Sequence, residues 1–341
     1  MSSLSAAGPR TVESVVGPRS FVEQRNSYFV RRSDGIPDGR VDHVAGWRGV
    51  ELDLEQWSFL LTADEIGELG GLADRLLAAG TPMGRVDGDS VDLPILGCRL
   101  AAWRHSLAAG LGVVRLRGVP VREWGEEKTS MAYWCLGHAI GVPGPQNPMG
   151  ELLGHVIDYG EADQPLVRLY RTPADIRFHC DSADVVGLLA LRTAREGGES
   201  RIASSTAIYN EIVDRRPDLA AELFEDFQFD RRNEEGPGEP PVFELSPGAW
   251  DGEMLRVFWH SDYTRSAPRH EGVEISPRRR EFIDLFDEIG AEPDMRLDMV
   301  LEEGDVKFIS NHTVVHSRTA YVDHEDPAER RHLLRLWLSI I

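Results

Sequence analysis

The chain begins without apolar rhythm: residues 1 to about 45 are rich in Ser, Arg, Gly and Asp, which predicts an N-terminal arm, mobile or docked late, that carries no chemistry. From Thr62 the pattern turns helical. Thr62-Ala-Asp-Glu65 reads as a capping box, and Ile66, Leu69, Leu72, Leu76 and Leu77 recur at helical spacing up to a stop at Gly80. Leu100, Trp103, Leu107 and Leu111 mark one face of a second helix, Gly112 to Pro120 alternates like a half-buried strand, and a third helix is predicted from about Glu126 to Ile140. Short apolar runs bounded by Gly, Pro and Asp then predict strands at Leu166 to Tyr170, Val185 to Thr193, Ser200 to Ser204, Leu255 to Trp259, Val306 to Ser310 and His332 to Ile340. Helices are expected between them at about Thr206 to Phe227 and Pro277 to Ile289. Strands in small groups, with helices before and between them, argue for an α+β chain. Its core would be a β-sandwich or jelly roll (double-stranded β-helix) with helices on one side, in a single domain over residues 46–341.

Composition narrows the partners. With 341 residues and 41% hydrophobic content the chain can bury a sizeable core, so folding need not depend on disulfides or a structural metal. Cys98, Cys135 and Cys180 are far apart with no C-x-x-C pair, which suits a reducing cytoplasm. A net charge of -20, from 37 Lys+Arg against 57 Asp+Glu, repels phosphate backbones and anionic lipid, so neither nucleic acid nor a membrane surface is expected as a partner. Apolar runs such as Val185 to Leu191 are too short to span a bilayer, and the start MSSLSAAGPR lacks a cationic segment followed by an apolar one, so export is not expected. A small-molecule partner is left.

The segment Arg177-Phe-His-Cys-Asp181 supplies the chemistry. On an extended backbone, residues two apart share a face, so His179 and Asp181 can reach one metal while Cys180 points away. The best candidate for a third ligand is His316 in Asn311-His-Thr-Val-Val-His316. Two histidines and one carboxylate with open positions suit Fe(II) in an oxygenase, where a structural zinc site would be closed by four protein ligands. His312, four positions before His316, would make a zinc pair on a helix, but the Val and Thr around it favour strand and loop. In Arg331-His-Leu-Leu-Arg335-Leu-Trp-Leu, strand alternation sends Arg331 and Arg335 to one face, where two guanidiniums among apolar residues call for carboxylates.

Taken together these residues resemble the taurine dioxygenase-like Fe(II)/2-oxoglutarate oxygenases, including the clavaminate synthase-like members. The matching pattern is H-x-D at His179 and Asp181, the distant His316, and Arg331 fifteen positions later (331 minus 316), joined by Gly197-Gly-Glu-Ser200. The resemblance runs from about Leu166 to the C-terminus, and Ser200 replaces the Thr of some relatives while keeping the hydroxyl. It implies that Fe(II), 2-oxoglutarate and O2 are used, with Ser200 and Arg331 fixing the far end of 2-oxoglutarate. Arg335 either assists them or holds an acidic substrate. Oxidative decarboxylation to succinate and CO2 would then drive oxidation of an unactivated C–H bond in a small, carboxylate-bearing molecule such as an amino acid or a specialised-metabolite intermediate. Asp181, replaced by a small residue in the related halogenases, favours hydroxylation, desaturation, epoxidation or ring closure. A non-catalytic metal or 2-oxoglutarate sensor is the alternative of another class.

Several residues have a structural reading beside the functional one. Asn311 either lines the pocket or satisfies turn backbone groups, and Val257 to Tyr263 forms either a substrate wall or core. Arg335 divides between a carboxylate contact and an ion pair. His155 and Arg171 precede the H-x-D strand with no spacing that ties them to it, and Asp294 to Asp305 reads as a solvated acidic surface.

Overall fold

The three helices expected between Thr62 and Ile140 form close to where the apolar spacing predicts them. The structure, a computed structural model, describes residues 19–160, 171–236 and 238–340. Thr62 caps the helix Ala63–Ala78 in a reciprocal box with Glu65, and Gly80, at φ 63°, ends it. Helices Pro94–Ala109 and Val121–Ile140 follow, flanking the strand Val113–Arg117. The strand expected at Leu166 to Tyr170 lies outside the described residues.

Two larger sheets carry most of the rest of the described residues, beside three two-stranded ones. The larger has seven strands in the order Ser58–Leu60, Val113–Arg117, Val306–Ser310, Val185–Arg192, His332–Ser339 and Val142–Gly144, with Gly154–Val156 also pairing to His332–Ser339. The smaller is antiparallel, in the order Arg296–Met299, Ser200–Ser204, Val314–Arg318, Ile176–His179. Alternation sorts each strand between two environments. Leu334, Leu336 and Leu338, like Val306 and Phe308, join the three helices in one core. Val186, Ile309 and Trp337 point the other way and meet Ile202 and Val314 of the small sheet. The two sheets therefore face each other.

Helices cover both outer faces, whereas the sequence pattern predicts one side. Ser205–Arg215 and Pro277–Ala291 lay Ile208, Ile212, Phe282, Phe286 and Ile289 against Phe178, Ala203 and Val315 on the back of the small sheet. That face is apolar and would otherwise be exposed to water. The first of these helices stops well before Phe227. Pro217 lacks an amide hydrogen and disfavours helix at Arg216, and the chain continues as a short 3-10 turn, Ala220–Phe224, and a strand, Phe227–Asp230.

The described part of the arm is packed. Ser20 and Glu23 form a capping box on the helix Phe21–Phe29, whose buried residues are Gln24, Arg25 and Tyr28. Because those are mostly polar, the helix left no apolar rhythm to read. The acidic run is also less uniform than expected: Asp305 is buried, accepts from Arg115 Nε at 3.2 Å, and takes the Glu302 amide at 2.8 Å. Its carboxylate offsets the charge of an arginine on the neighbouring strand.

Candidate metal centre and its cavity

Strand pairing builds the ligand set. Ile176–His179 runs antiparallel to Val314–Arg318 with His179 directly opposite His316, and the two rings lie 4.2 Å apart. His316 Nε2 is 3.8 Å from Asp181 Oδ2, and one ligand atom from each of the three residues lies within 4.8 Å of the others. Cys180 turns to the opposite side as alternation requires. Its sulfur lies 3.6 Å and 3.7 Å from the Val257 and Val314 carbonyls, and burial pushes its thiol up to about 12.

The protonation states suit a cation. His179 Nδ1 is 2.9 Å from the Arg177 carbonyl, which can only accept, so Nδ1 donates there and Nε2 is the ring nitrogen left for a metal. Burial, reinforced by His179, Lys307, Arg335 and His260, holds His316 well below the ordinary histidine range, so it is neutral near pH 7. Two imidazoles and one carboxylate, spaced so that a small closure brings all three onto one ion, fit a divalent metal with open positions.

Asn311 supports this set from beneath. It is fully buried; its Oδ1 accepts the Asp181 amide at 3.0 Å and its Nδ2 donates to the Ala183 carbonyl at 2.8 Å. Of its two readings the backbone-satisfying one holds, applied to the loop that carries a candidate ligand. His312 turns away: its Nε2 is 2.8 Å from Asp184 Oδ1 and its ring stacks on Tyr28. His155 lies against His332, Nδ1 to Nε2 at 2.7 Å, while Arg192 donates to His332 Nδ1 at 2.9 Å. Because arginine only donates, the proton on His332 sits at Nε2, and hydrogen bonding accounts for this second histidine cluster without a metal. Arg171 stacks over Tyr159, 3.9 Å from the ring centroid.

A cavity of about 400 Å³ opens beside the triad between the two sheets. Ser200, Lys307, Arg318, Arg331 and Arg335 line it together with His179, Asp181 and His316. Thus the three candidate ligands, Ser200, Arg331 and Arg335 all reach one space. Gly197 and Gly198 make this possible: both have positive φ, 75° and 76°, and a Cβ on Gly197 would lie 2.2 Å from the Ala320 carbonyl. Their turn passes beside Arg331 at Gly198, and Ser200 follows on the same cavity wall. Arg331 is buried with its Nη1 unpartnered among the described residues. Arg335 shares its strand face, as predicted, and its Nε donates to Gln146 Oε1 at 2.6 Å.

Lys307 and Arg318 are cations that the sequence reading missed. Lys307 is 1% exposed and donates to Ser200 Oγ. A lysine inside Val-Lys-Phe-Ile-Ser was the available signal, since a charged residue in an otherwise apolar strand must meet something. A smaller cavity, about 120 Å³, lies on the other side of His179 and Asp181, walled by Arg25, Arg231, Phe258, His260, Tyr263 and Trp337. The stretch Val257 to Tyr263 therefore serves both readings, because Trp259 is core, stacked 3.9 Å from Phe286.

The fold is mixed α+β with several sheets, and His179, Asp181 and His316 form a candidate metal centre within it. The comparisons with known proteins agree: residues 77–337 match the model of the taurine catabolism dioxygenase TauD, TfdA family. The chain belongs to that family of Fe(II)/2-oxoglutarate-dependent oxygenases. It is 30% identical to FR-33289 synthase of Streptomyces rubellomurinus (strain ATCC 31215), over 86% of this chain and 88% of that protein. It is 24% identical to the taurine hydroxylase-like protein SAT17 of Stachybotrys chartarum, over 87% and 79%. Among solved structures, an asparagine oxygenase in complex with Fe(II), 3-hydroxyasparagine and succinate superposes with a TM-score of 0.66 at 16% identity, covering 83% of this chain and 93% of that one. The non-haem iron oxygenase OrfP, in complex with Fe and α-ketoglutaric acid, gives 0.61 at 19%, covering 83% and 94%. Among the described residues no helix is long and apolar enough to cross a membrane.

Proposed function

We propose that His179, Asp181 and His316 hold Fe(II), that Ser200 and Arg331 fix the far carboxylate of 2-oxoglutarate, and that the enzyme oxidises a C–H bond of a small carboxylate-bearing molecule. The two facing sheets are read as the halves of a double-stranded β-helix, one domain over residues 46–341, working in the cytoplasm. The observation that carries this reading is the convergence of the three ligand atoms with Ser200 and Arg331 on one cavity. When bound, iron would let O2 act as the oxidant with 2-oxoglutarate as the electron donor, the latter leaving as succinate and CO2. The chain's own residues orient and shield. Neutral His316 offers a lone pair without losing a proton, the Asn311 bond holds Asp181 in place, and Leu188 and Leu333 keep the wall of the cavity apolar.

Arg335 lines both cavities, so it stands between the cosubstrate space and the smaller one, where we place the substrate's carboxylate. An amino acid suits this wall, because Arg335 and the acidic Asp262 both line the smaller cavity. The asparagine oxygenase and OrfP structures, with hydroxylated asparagine and arginine bound, support that class.

Anaerobic titration of the Fe(II)-loaded protein with 2-oxoglutarate tests the site. A weak visible charge-transfer band in the wild type that His316→Ala abolishes supports it; bound iron without the band overturns it. Substrate-dependent succinate release across an amino-acid panel then identifies the substrate, and Arg335→Ala should raise its KM. Product mass separates the outcomes: hydroxylation and epoxidation add an oxygen, whereas desaturation and cyclisation remove two hydrogens.

A further inference from the structure

Lys307 stands on Val306–Ser310 with Val306 and Phe308 turned toward the helices, so strand alternation sends its side chain into the space between the sheets. Its strand neighbours in register are Leu188 and Arg115, neither of which can neutralise it. Among the described residues no carboxylate lies within ion-pair distance of Lys307, nor of Arg331. Asp181 exerts some attraction on the ammonium, but that carboxylate is a metal ligand in the reading above. The other acids on the cavity wall are committed elsewhere or stand at the rim: Glu199 accepts from Thr319, Glu303 pairs with Arg122, and Glu196 and Glu302 are exposed. Burial, with Arg331 adding repulsion, pulls the lysine down to about 7, as expected for an ammonium held out of water with no anion beside it.

Buried lysine without a counter-ion is costly, and a neutral residue of similar length would pack at least as well. Something must favour the charge. Among the described residues Lys307 has one polar partner in the cavity, the Ser200 hydroxyl, and Gly198 brings Ser200's loop to within van der Waals reach of Arg331, a Cβ there lying 3.3 Å from its Nε. One hydroxyl, one ammonium and one guanidinium thus converge on a single spot, forming a cradle for a carboxylate.

We infer that Lys307 is a third anchor of the distal carboxylate of 2-oxoglutarate, acting with Ser200 and Arg331. This rests on the proposed cosubstrate site. The lysine selects a dicarboxylic 2-oxo acid over a monocarboxylic one, because its charge is satisfied only when the second carboxylate is present. It also explains why the strand tolerates it.

The test compares Lys307→Met with wild type in anaerobic Fe(II) titrations, using 2-oxoglutarate and 2-oxovalerate, which lacks the distal carboxylate. A charged hydrogen bond of ordinary strength predicts a Kd for 2-oxoglutarate raised by about 10- to 100-fold, with 2-oxovalerate changed by less than about threefold. Thermal melting without ligand should show the variant at least as stable as wild type, because a buried charge has been removed. Equal losses for both acids, or no loss for either, overturn the inference, as does a variant whose melting temperature falls steeply. Arg331→Met in the same titration separates the two readings. If it weakens 2-oxoglutarate while Lys307→Met does not, the lysine assignment alone falls; if neither variant weakens it, the proposed cosubstrate site falls as well.

Discussion

Replacing Asn311 by alanine should damage the metal centre without touching a ligand. The side chain is fully buried and makes two bonds to the loop behind Asp181: it accepts the Asp181 amide at 3.0 Å and donates to the Ala183 carbonyl at 2.8 Å. Its backbone is tied at both ends, by its amide to Asp184 O at 2.9 Å and by Tyr28 Oη to its carbonyl at 2.9 Å, so alanine leaves the turn in place and removes only the side-chain bonds. Each buried group left unpaired costs about 1–3 kcal/mol, and the Asp181 amide, being only partly buried, can recover some of that from water. A loss of about 2–4 kcal/mol in unfolding free energy follows. Loosening the carboxylate's support should also weaken metal binding about 10- to 100-fold. Urea unfolding of the apoprotein measures the first effect, and anaerobic Fe(II) or Mn(II) titration the second. Unchanged metal affinity alongside lowered stability would show that Asp181 is positioned by other contacts. Stability within about 0.5 kcal/mol of wild type would mean that the two bonds contribute nothing.

Three further outcomes are expected. Mn(II) at a hundred times its Kd should stabilise the wild type by about 2.7 kcal/mol, visible as a rise in melting temperature, and His179→Ala should lose the rise; a shift that survives the substitution would place the metal elsewhere. Asp230 is buried, which pushes its carboxyl up, but bonds from Arg269 at 2.7 Å, His270 at 3.0 Å and the Arg232 amide at 2.8 Å outweigh this and hold it well below the usual range. Its folded-state pKa therefore lies below the unfolded value of ~3.9, so its contribution is complete above that pH and fades as pH falls through the folded value. Asp230→Asn should cost about 2–3 kcal/mol at pH 7 in urea unfolding, less than a fully buried pair because Arg269 is partly exposed, and a gap that did not narrow in acid would contradict the assignment. Gly187→Ala should cost about 1–3 kcal/mol, since its Cβ would lie 2.5 Å from Tyr133 Oη and 2.7 Å from Phe308 Cε1; a neutral result would mean that the helix Val121–Ile140 can back away from the sheet.

The separation of His179 from Asp181, the positions of His316 and Arg331, and the glycine pair before Ser200 were all legible in the sequence. Only the first follows from short-range geometry, because two residues along an extended strand share a face; the others were read from the ordered motif of the resembling oxygenases, and glycine suits the turn before Ser200 because φ is positive there. Helix starts at Thr62 and the strands Ser200–Ser204 and Val306–Ser310 were readable for the same reason, because periodicity and capping are local. What periodicity cannot say is which faces meet. That His179 stands opposite His316, that Lys307 looks across at Ser200, and that Arg25 from the N-terminal helix walls the smaller cavity were decided by strand order and register between segments far apart in the chain. The packed N-terminal helix escaped notice because it buries Gln24 and Arg25 rather than an apolar stripe. The sequence names the charged residues; only the tertiary structure decides whether each faces water, a counter-ion or an empty cradle, since the cost of burying a charge is set by neighbours that the chain brings in from elsewhere.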